Sequence, residues 1–442
     1  MRMSWMPALL AVAGCAGSLD RTHDYDTMLG ALRRDDAARS DGDAALAAVT
    51  SAQALDRTAL VRAVLARNPT LGAMRAAWHA AAADVRAAGT LEDPMVTYEL
   101  APLSIASSAP FGQRVQVSQK LPWPGKRAVA GDIAVADAEM AHQDVRGMTL
   151  ELAAMTSDLF DDYALVEREL EVNDHHRMTA EQMKKAVEAQ LAAGRGSTQD
   201  ALAAEVELGK MAQERVMLET ERETIVARLD GLLHRAPDAP LPAPAAVAPV
   251  VAEPAPLAQL LARAAERPDA RSANERIAGA SARVEGAERA FYPDLEVMGS
   301  YDSMFMPEHR WMVGVGIEVP LQRGKRDAEL DAARARVTQA TAQLDRLRDD
   351  VKVDVFSARR AVVESNAIVT SYDQQLVPAT RAQVEAALQG FVTGRNDFTA
   401  VITAERSARE IELASYRART ELSKRLVALD KATGRLPGGG VP

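Results

Sequence analysis

The chain has 442 residues, enough for two or three ordinary domains. Only 4% of them are aromatic, a balance that favours extended helices over compact sandwiches. A net charge of −10 without a basic patch excludes nucleic acid as a partner, and a single cysteine excludes any disulfide within the chain.

Arg2 followed by the apolar stretch Met6 to Val12 reads as a secretory signal, too short to span a bilayer. Cys15 follows Val12-Ala13-Gly14, where a bacterial lipoprotein signal places its cysteine. The expected product is cleavage after residue 14 and lipidation of Cys15, with a membrane taking up the acyl chains at about 0.8 kcal/mol per methylene. An ordinary signal with an incidental cysteine is the other reading. Beyond it no run of about 18 apolar residues occurs, so a membrane crossing must be made by strands.

Residues 15–54 are polar and rich in Ala and Asp, and are expected to be an N-terminal tether with one short helix. The first structural unit, 55–235, opens with a helix capped by Asp56 and stopped by Asn68-Pro69. A second helix, 70–88, sets Leu71, Met74, Trp78 and Val85 roughly on one face until Pro94 ends the pattern. A β-hairpin over 95–121 is expected next. Val96, Tyr98 and Leu100 alternate with Thr97 and Glu99, and Val115, Val117 and Leu121 alternate with Arg114, Gln116, Ser118 and Lys120. After Gly125-Lys126-Arg127 comes a proline-free helix to about residue 192, about 100 Å long at 1.5 Å per residue. The chain turns at Gly194 and Gly196 and returns as a shorter helix, so that 127–234 forms a long helical hairpin.

A linker with seven prolines, 236–256, separates this unit from a second one, 257–434. There Leu295, Val297 and Tyr301 oppose Asp294, Glu296, Ser300 and Asp302. Trp311, Val313, Val315, Ile317 and Val319 likewise oppose Arg310, Met312, Gly314, Gly316 and Glu318. This predicts a hairpin over 294–319, and a second helical hairpin over 327–433 turning at Gly394. Residues 435–442 read as a disordered tail. The two units are copies: Asn68-Pro69 recurs as Arg267-Pro268, Asp93-Pro94 as Tyr292-Pro293, Gly125-Lys126-Arg127 as Gly324-Lys325-Arg326, and Ala193-Gly194-Arg195 as Thr393-Gly394-Arg395.

One hairpin per copy gives four strands, fewer than the roughly eight of a minimal membrane barrel, and an open edge in lipid costs several kcal/mol per unpaired group. A ring of identical chains resolves this, and three chains supply twelve strands. The fold class expected is therefore mostly α with membrane β. It is internally duplicated, with long helical hairpins forming a hollow α-barrel and four strands per protomer of a trimeric 12-stranded β-barrel.

Ala66-Arg67-Asn68-Pro69, Val117-Ser118-Gln119-Lys120-Leu121-Pro122, Gly125-Lys126-Arg127 and the two glycine turns resemble the TolC-type outer membrane efflux proteins over about residues 54–434. Gln119-x-x-Pro122 with the following Gly-Lys-Arg is closest to the branch serving heavy-metal cation efflux. The resemblance implies a homotrimeric exit duct, lipid-anchored in the outer membrane and extending into the periplasm. Its periplasmic tip would dock onto a periplasmic adaptor (membrane fusion) protein and an inner membrane pump of the RND type. It also implies a tip closed by polar links among Gly194, Arg195, Asp200, Gly394, Arg395, Asn396 and Asp397, with Asp200 pairing with Arg395 or a neighbour; solvated turn charges are the other reading. Ala400 and Thr403 stand where some members carry pore-narrowing aspartates, which argues against a carboxylate ring at that level.

Arg114 and Lys120 are expected to line the pore opposite Glu296, Asp302 and Glu318. Met304, Met306, His309 and Met312 cluster in the second hairpin, where thioethers could touch Cu(I) in passing, although methionine as filler is commoner. The adjacent His175 and His176 point to different helix faces and cannot ligate together. No zinc or calcium spacing and no nucleophile with a supporting base occurs, so neither a cofactor, a metal site nor an enzyme is expected. Export of drugs or proteins, or a periplasmic coiled-coil adaptor or scaffold lipoprotein, remain as alternatives. An adaptor would carry one helical hairpin between compact β-rich domains.

Overall fold

The chain begins in its computed structural model with α1 (Thr22–Arg39) and α2 (Gly42–Thr50), and the structure describes residues 22–39, 42–101, 112–193, 197–245 and 253–437. The first copy then comprises α3 (Arg57–Arg67), α4 (Pro69–Ala88), β1 (Met95–Ala101), β2 (Gly112–Leu121), α5 (Lys126–Ala192) and α6 (Thr198–Leu232). The second comprises α7 (Leu257–Ala264), α8 (Pro268–Arg289), β3 (Asp294–Asp302), β4 (Trp311–Glu318), α9 (Arg323–Ser371), α10 (Val377–Val392) and α11 (Phe398–Ala432). The described residues fall into two units, one within 1–35, 74–145 and 269–347, the other within 36–73, 146–268 and 348–442.

The first unit is built on a four-stranded antiparallel sheet in the order β1-β2-β3-β4. The two hairpins join through β2 and β3, with Leu121 opposite Leu295, Lys120 opposite Glu296 and Arg114 opposite Asp302. Where the strands meet the helices, Gly125 has φ +91, and an Arg289 guanidinium nitrogen lies 1.3 Å from where a Cβ would stand. Only glycine fits there. Lys126 crosses to the second copy, its Nζ donating to Tyr292 O at 2.9 Å and Asp294 Oδ1 at 2.8 Å. Trp123 stacks on Tyr292 with centroids 5.4 Å apart. Arg326 Nε donates to Ala290 O at 2.8 Å and Arg127 to Gly89 O at 3.4 Å, so each copy's arginine covers a carbonyl where the preceding helix ends.

In the second unit Leu55, Leu60 and Val64 pack with Phe160, Tyr163 and Val166 of α5 and Ile225, Leu229 and Leu233 at the end of α6. Asp56 caps α3, accepting from Ala59 N at 2.8 Å. The proline landmarks prove to be joints. Pro69 and Pro268 each open a helix, where a missing N–H costs nothing. The residues before them cap the returning helices: Arg67 Nε donates to Leu233 O and Asn68 Nδ2 to Leu232 O, both at 3.2 Å, and Arg267 donates to Ala432 O at 3.2 Å. Both returning helices end in the same left-handed turn, with Arg235 N donating to Asp230 O at 2.9 Å and Arg435 N to Asp430 O at 2.8 Å. The second copy puts Gly434 at the turn (φ 75), whereas the first puts His234 there (φ 55).

Two expectations change. Residues 22–39 and 42–50 form two helices instead of a tether with one, and the second of them enters a core through Val49. The long helix expected after residue 327 is not continuous: a π-turn, Tyr372–Leu376, divides α9 from α10 just before Pro378. The proline has no N–H to donate and its ring meets the carbonyl four residues back, and a wider turn accommodates both.

Candidate functional site

All four strands share one polar face, because the registers align like with like. Met95, Thr97 and Glu99 lie beside Arg114, Gln116, Ser118 and Lys120, then Asp294, Glu296, Met298, Ser300 and Asp302, then Met312, Gly314, Gly316 and Glu318. The five pore candidates Arg114, Lys120, Glu296, Asp302 and Glu318 are therefore on one face. The cations do not stand opposite the acids across a space; they pair with them along the sheet. Arg114 reaches the fully buried Asp302 at 2.9 Å and Glu99 at 3.4 Å, and Lys120 reaches Glu318 at 3.1 Å. Arg114 meets its acids on the adjacent strands, where paired side chains lie within about 5.5 Å, and the long Lys120 side chain spans β3 to reach Glu318. The opposite face is apolar and open: Val96, Tyr98, Leu100, Val115 and Val117 are exposed, Trp311 to 79% and Val313 to 74%. A band of this kind is suited to lipid or to a partner and not to water. No helix among the described residues is long and apolar enough to cross a membrane.

Within the second unit the two helical hairpins pack, near their turns, through Val187, Ala204, Phe398 and Ile402. Gly194 and Arg195, together with Cys15, lie outside the described residues. Asp200 sits in the first turn of α6, whose N-cap is Ser197. The second turn is tied to itself. Gly394 takes φ +71, Arg395 N and Asn396 N donate to Gly390 O at 2.8 and 3.0 Å, and Asp397 caps α11 by accepting from Ala400 N at 2.9 Å. Arg395 Nε turns to Thr393 Oγ1 at 3.1 Å. No ion pair joins Asp200 to Arg395 within the protomer, and Asn396 and Asp397 are occupied in shaping the turn.

A ladder of charges that the sequence reading did not single out binds α11 to the first hairpin. Arg417 Nε meets Glu169 Oε1 at 2.7 Å, Lys424 pairs with Asp162 and Lys431 with Glu151. Arg57 pairs with Asp161 and donates to Ser423 Oγ at 2.9 Å. Toward the turns Arg409 meets Glu214 at 3.1 Å and Arg406 pairs with Glu207. Burial pushes the Asp161 carboxyl up to about 6 against the pull of Arg57, and it raises Glu169 against the pull of Arg417. Burial works the same way on Glu207, but hydrogen bonds from Arg406 and Lys210 outweigh it and its pKa falls. His176 stands between two acids, Nδ1 at 3.6 Å from Glu405 and Nε2 at 3.3 Å from Glu412. Burial disfavours its charge, yet the two carboxylates raise its pKa above the ordinary value. The signal lay in the spacing of seven: Asp162, Glu169 and His176 on one helix, Arg417, Lys424 and Lys431 on the other.

Among the described residues no three or more His, Cys, Asp or Glu are placed to hold a metal ion. The methionines and His309 lie in and beside the β3–β4 turn, where His309 N donates to Met306 O at 2.8 Å. The Met304 sulfur lies 2.7 Å from where a Cβ on Gly112 would stand, Met306 is exposed, His309 ends a short 3-10 turn, and Met312 lies on the polar face of β4.

The described residues thus form a duplicated chain with a two-faced sheet, whose outer strands β1 and β4 each pair with one strand among the described residues, and with two long helical hairpins. The chain belongs to the outer membrane efflux protein family, which residues 60–234 and 260–435 both match. No curated sequence matches it. Solved structures share the fold. The outer-membrane channel OprN has a TM-score of 0.73 at 22% identity, covering 86% of this chain and 89% of its own. CusC, studied for conformational changes accompanying folding and transmembrane channel formation, gives 0.75 at 18% identity, covering 86% and 92%. VceC, an outer membrane protein from the bacterial pathogen Vibrio cholerae, gives 0.73 at 17%, covering 86% and 96%. These are TolC-type channels, and the family relationship makes the protein a channel component and not an enzyme.

Proposed function

We propose that the protein is the outer membrane exit duct of a tripartite efflux system: a homotrimer, tethered by lipid on Cys15, that receives cargo from an RND-type inner membrane pump through a periplasmic adaptor. The observation that carries this is the sheet, which has an apolar face to set in lipid, a charged face to set against water and two edges open to other copies. Arg114, Lys120, Glu296 and Glu318 line the lumen in this reading, with the pore candidate Asp302 buried beneath Arg114. The turns at 194–201 and 394–401 form the periplasmic tip, where Asp200 and Arg395, unpaired with each other in one protomer, meet between protomers as a latch. The cargo we assign is heavy-metal cations, on the resemblance of Gln119-x-x-Pro122 and Gly125-Lys126-Arg127 to that branch and on the excess of carboxylates over cations along the polar face. Planar-bilayer recording on the purified protein tests the duct. Discrete conductance steps that grow larger in Asp200→Ala are expected, and a water-soluble monomer without conductance would end the reading. Deletion of the gene tests the cargo: it should sensitise cells to copper, zinc or cobalt, and unchanged tolerance of all three rejects metal efflux.

A further inference from the structure

The duplication specifies how one copy joins the next. Within the chain the two hairpins meet at β2 and β3, pairing Leu121 with Leu295, Lys120 with Glu296 and Gln119 with Val297. β4 is the counterpart of β2, since Leu121-Pro122 recurs as Val319-Pro320, and β1 is the counterpart of β3, since Pro293 recurs as Pro94. Carrying the internal register over pairs Val319 with Val96, Glu318 with Thr97, Ile317 with Tyr98, Gly316 with Glu99 and Val315 with Leu100 of a second copy. Nothing in the transfer forces the faces to agree, and they do: Val319, Ile317 and Val315 meet apolar-face residues, and Glu318 and Gly316 meet polar-face ones. A slip of one residue would set each apolar side chain against the polar face.

Around the seam the charges are open on both sides, although the ring contact of the internal junction does not recur. Lys126 clasps Tyr292 O and Asp294 across the internal junction. Its counterpart Lys325 is 66% exposed and, among the described residues, pairs with Glu329 of its own helix alone, at 3.8 Å. The counterpart of Tyr292 is Asp93, exposed beside an exposed Glu92. Leu321, the counterpart of Trp123, whose ring stacks on Tyr292, is 83% exposed. The counterpart of Asp294 itself is Met95, so the carboxylate open to Lys325 at the other edge of the sheet is Asp93, one residue before Pro94.

We propose that β4 continues onto β1 of a second copy in the register pairing Glu318 with Thr97 and Gly316 with Glu99, and that Lys325 clasps the second copy at Asp93. This rests on the channel reading, which requires closure but does not fix which residues meet. Directly paired strand residues have Cα atoms about 4.5–5.5 Å apart, within disulfide reach, whereas pairs displaced by two lie about 7–8 Å apart and outside it.

The test is oxidative cross-linking of the full chain in outer membranes, on non-reducing gels, with conductance recorded in parallel. Thr97→Cys with Glu318→Cys on one face, and Tyr98→Cys with Ile317→Cys on the other, should each convert most of the chain to bands of two and three protomers that collapse on reduction. Thr97→Cys with Gly316→Cys, and each single variant, should stay at the protomer band like the wild type with its native Cys15. Linking by the displaced pair alone, or by neither expected pair in a protein that still conducts, overturns the register and leaves the channel standing. A monomeric protein that neither links nor conducts overturns both.

Discussion

Arg417→Ala isolates what the charge ladder contributes. The Glu169 side chain is only 7% exposed, and its one short contact is Arg417 Nε at 2.7 Å, while Arg417 itself is 60% exposed. Removing the arginine strands a buried carboxylate, whereas removing the acid releases a cation into water. A hydrogen bond to a charged group is worth about 1.5–3 kcal/mol, and the loss should fall almost wholly on the Arg417 side of the cycle. Protonation limits it. Burial already holds the Glu169 pKa above its ordinary value, and without Arg417 that pKa climbs further, so the folded state binds a proton that the unfolded state does not. Stability then falls as pH rises, by about 1.4 kcal/mol per unit inside the window between the two pKa values. Arg417→Ala should cost about 2–3 kcal/mol at pH 8 and about 1 kcal/mol at pH 5. Glu169→Gln should cost about 1 kcal/mol at either pH, and adding Arg417→Ala to it should change little. Guanidinium titrations in detergent micelles, followed by helical circular dichroism, supply all four corners of the cycle. An Arg417→Ala penalty identical at pH 5 and pH 8, or undiminished in the Glu169→Gln background, would show that Glu169 is not a stranded charge and that the reasoning fails.

Two further outcomes follow from the same physics. His234 holds a left-handed turn that the second copy builds with Gly434, so His234→Gly should stabilise by about 0.5–1 kcal/mol and Gly434→Ala destabilise by about 1–2 kcal/mol; denaturant midpoints moving in the same direction would contradict this. His176 has a folded pKa raised above its unfolded one, so its contribution is complete below about pH 6.5 and lost as pH rises through the folded value. The stability difference between wild type and His176→Gln should therefore be largest near pH 6 and vanish in alkali, and a difference that grows toward pH 9 would reverse the sign.

What the sequence disclosed and what it withheld divide along a physical line. A strand writes its two faces into every second residue, so the four strands, their polar face and five of the charges on it were legible before any register was known. Which charge meets which was not, because register is a relation between strands: Lys120 lies beside Glu296 in the ladder but bonds to Glu318 one strand further on. Asn68-Pro69 and Arg267-Pro268 were conspicuous as punctuation. Their second role, closing carbonyls at the ends of α6 and α11, spans about 165 residues and leaves no local mark. The ladder of Asp162 and Glu169 against Lys424 and Arg417 was written in a step of seven on each of two helices some 250 residues apart. Each stripe alone reads as an ordinary solvated face, and only their antiparallel contact gives it meaning.

The two copies differ most at the π-turn, and that difference should be measurable as motion. Counted back by the repeat offset of 199, Tyr372–Leu376 corresponds to residues 173–177, which lie in unbroken helix. That stretch of the first copy is well anchored. Asn173 Nδ2 donates to Met211 O and to Glu214 at 3.2 Å, and His176 is fixed between Glu405 and Glu412. Its counterpart carries one half-exposed pair, Arg419 to Asp373 at 2.6 Å, and a proline that removes a backbone donor. One missing hydrogen bond and weaker anchoring together lower the local opening free energy by about 1–3 kcal/mol, which is about ten- to a hundredfold in amide exchange. Hydrogen exchange read by mass spectrometry on the intact assembly should show peptides over 370–378 exchanging faster by that factor than peptides over 171–179. Pro378→Ala should narrow the gap by allowing ordinary helical bonding through the break. Equal protection of the two stretches would mean that the wider turn bonds as firmly as the helix it interrupts, and that the second hairpin bends no more readily there than the first.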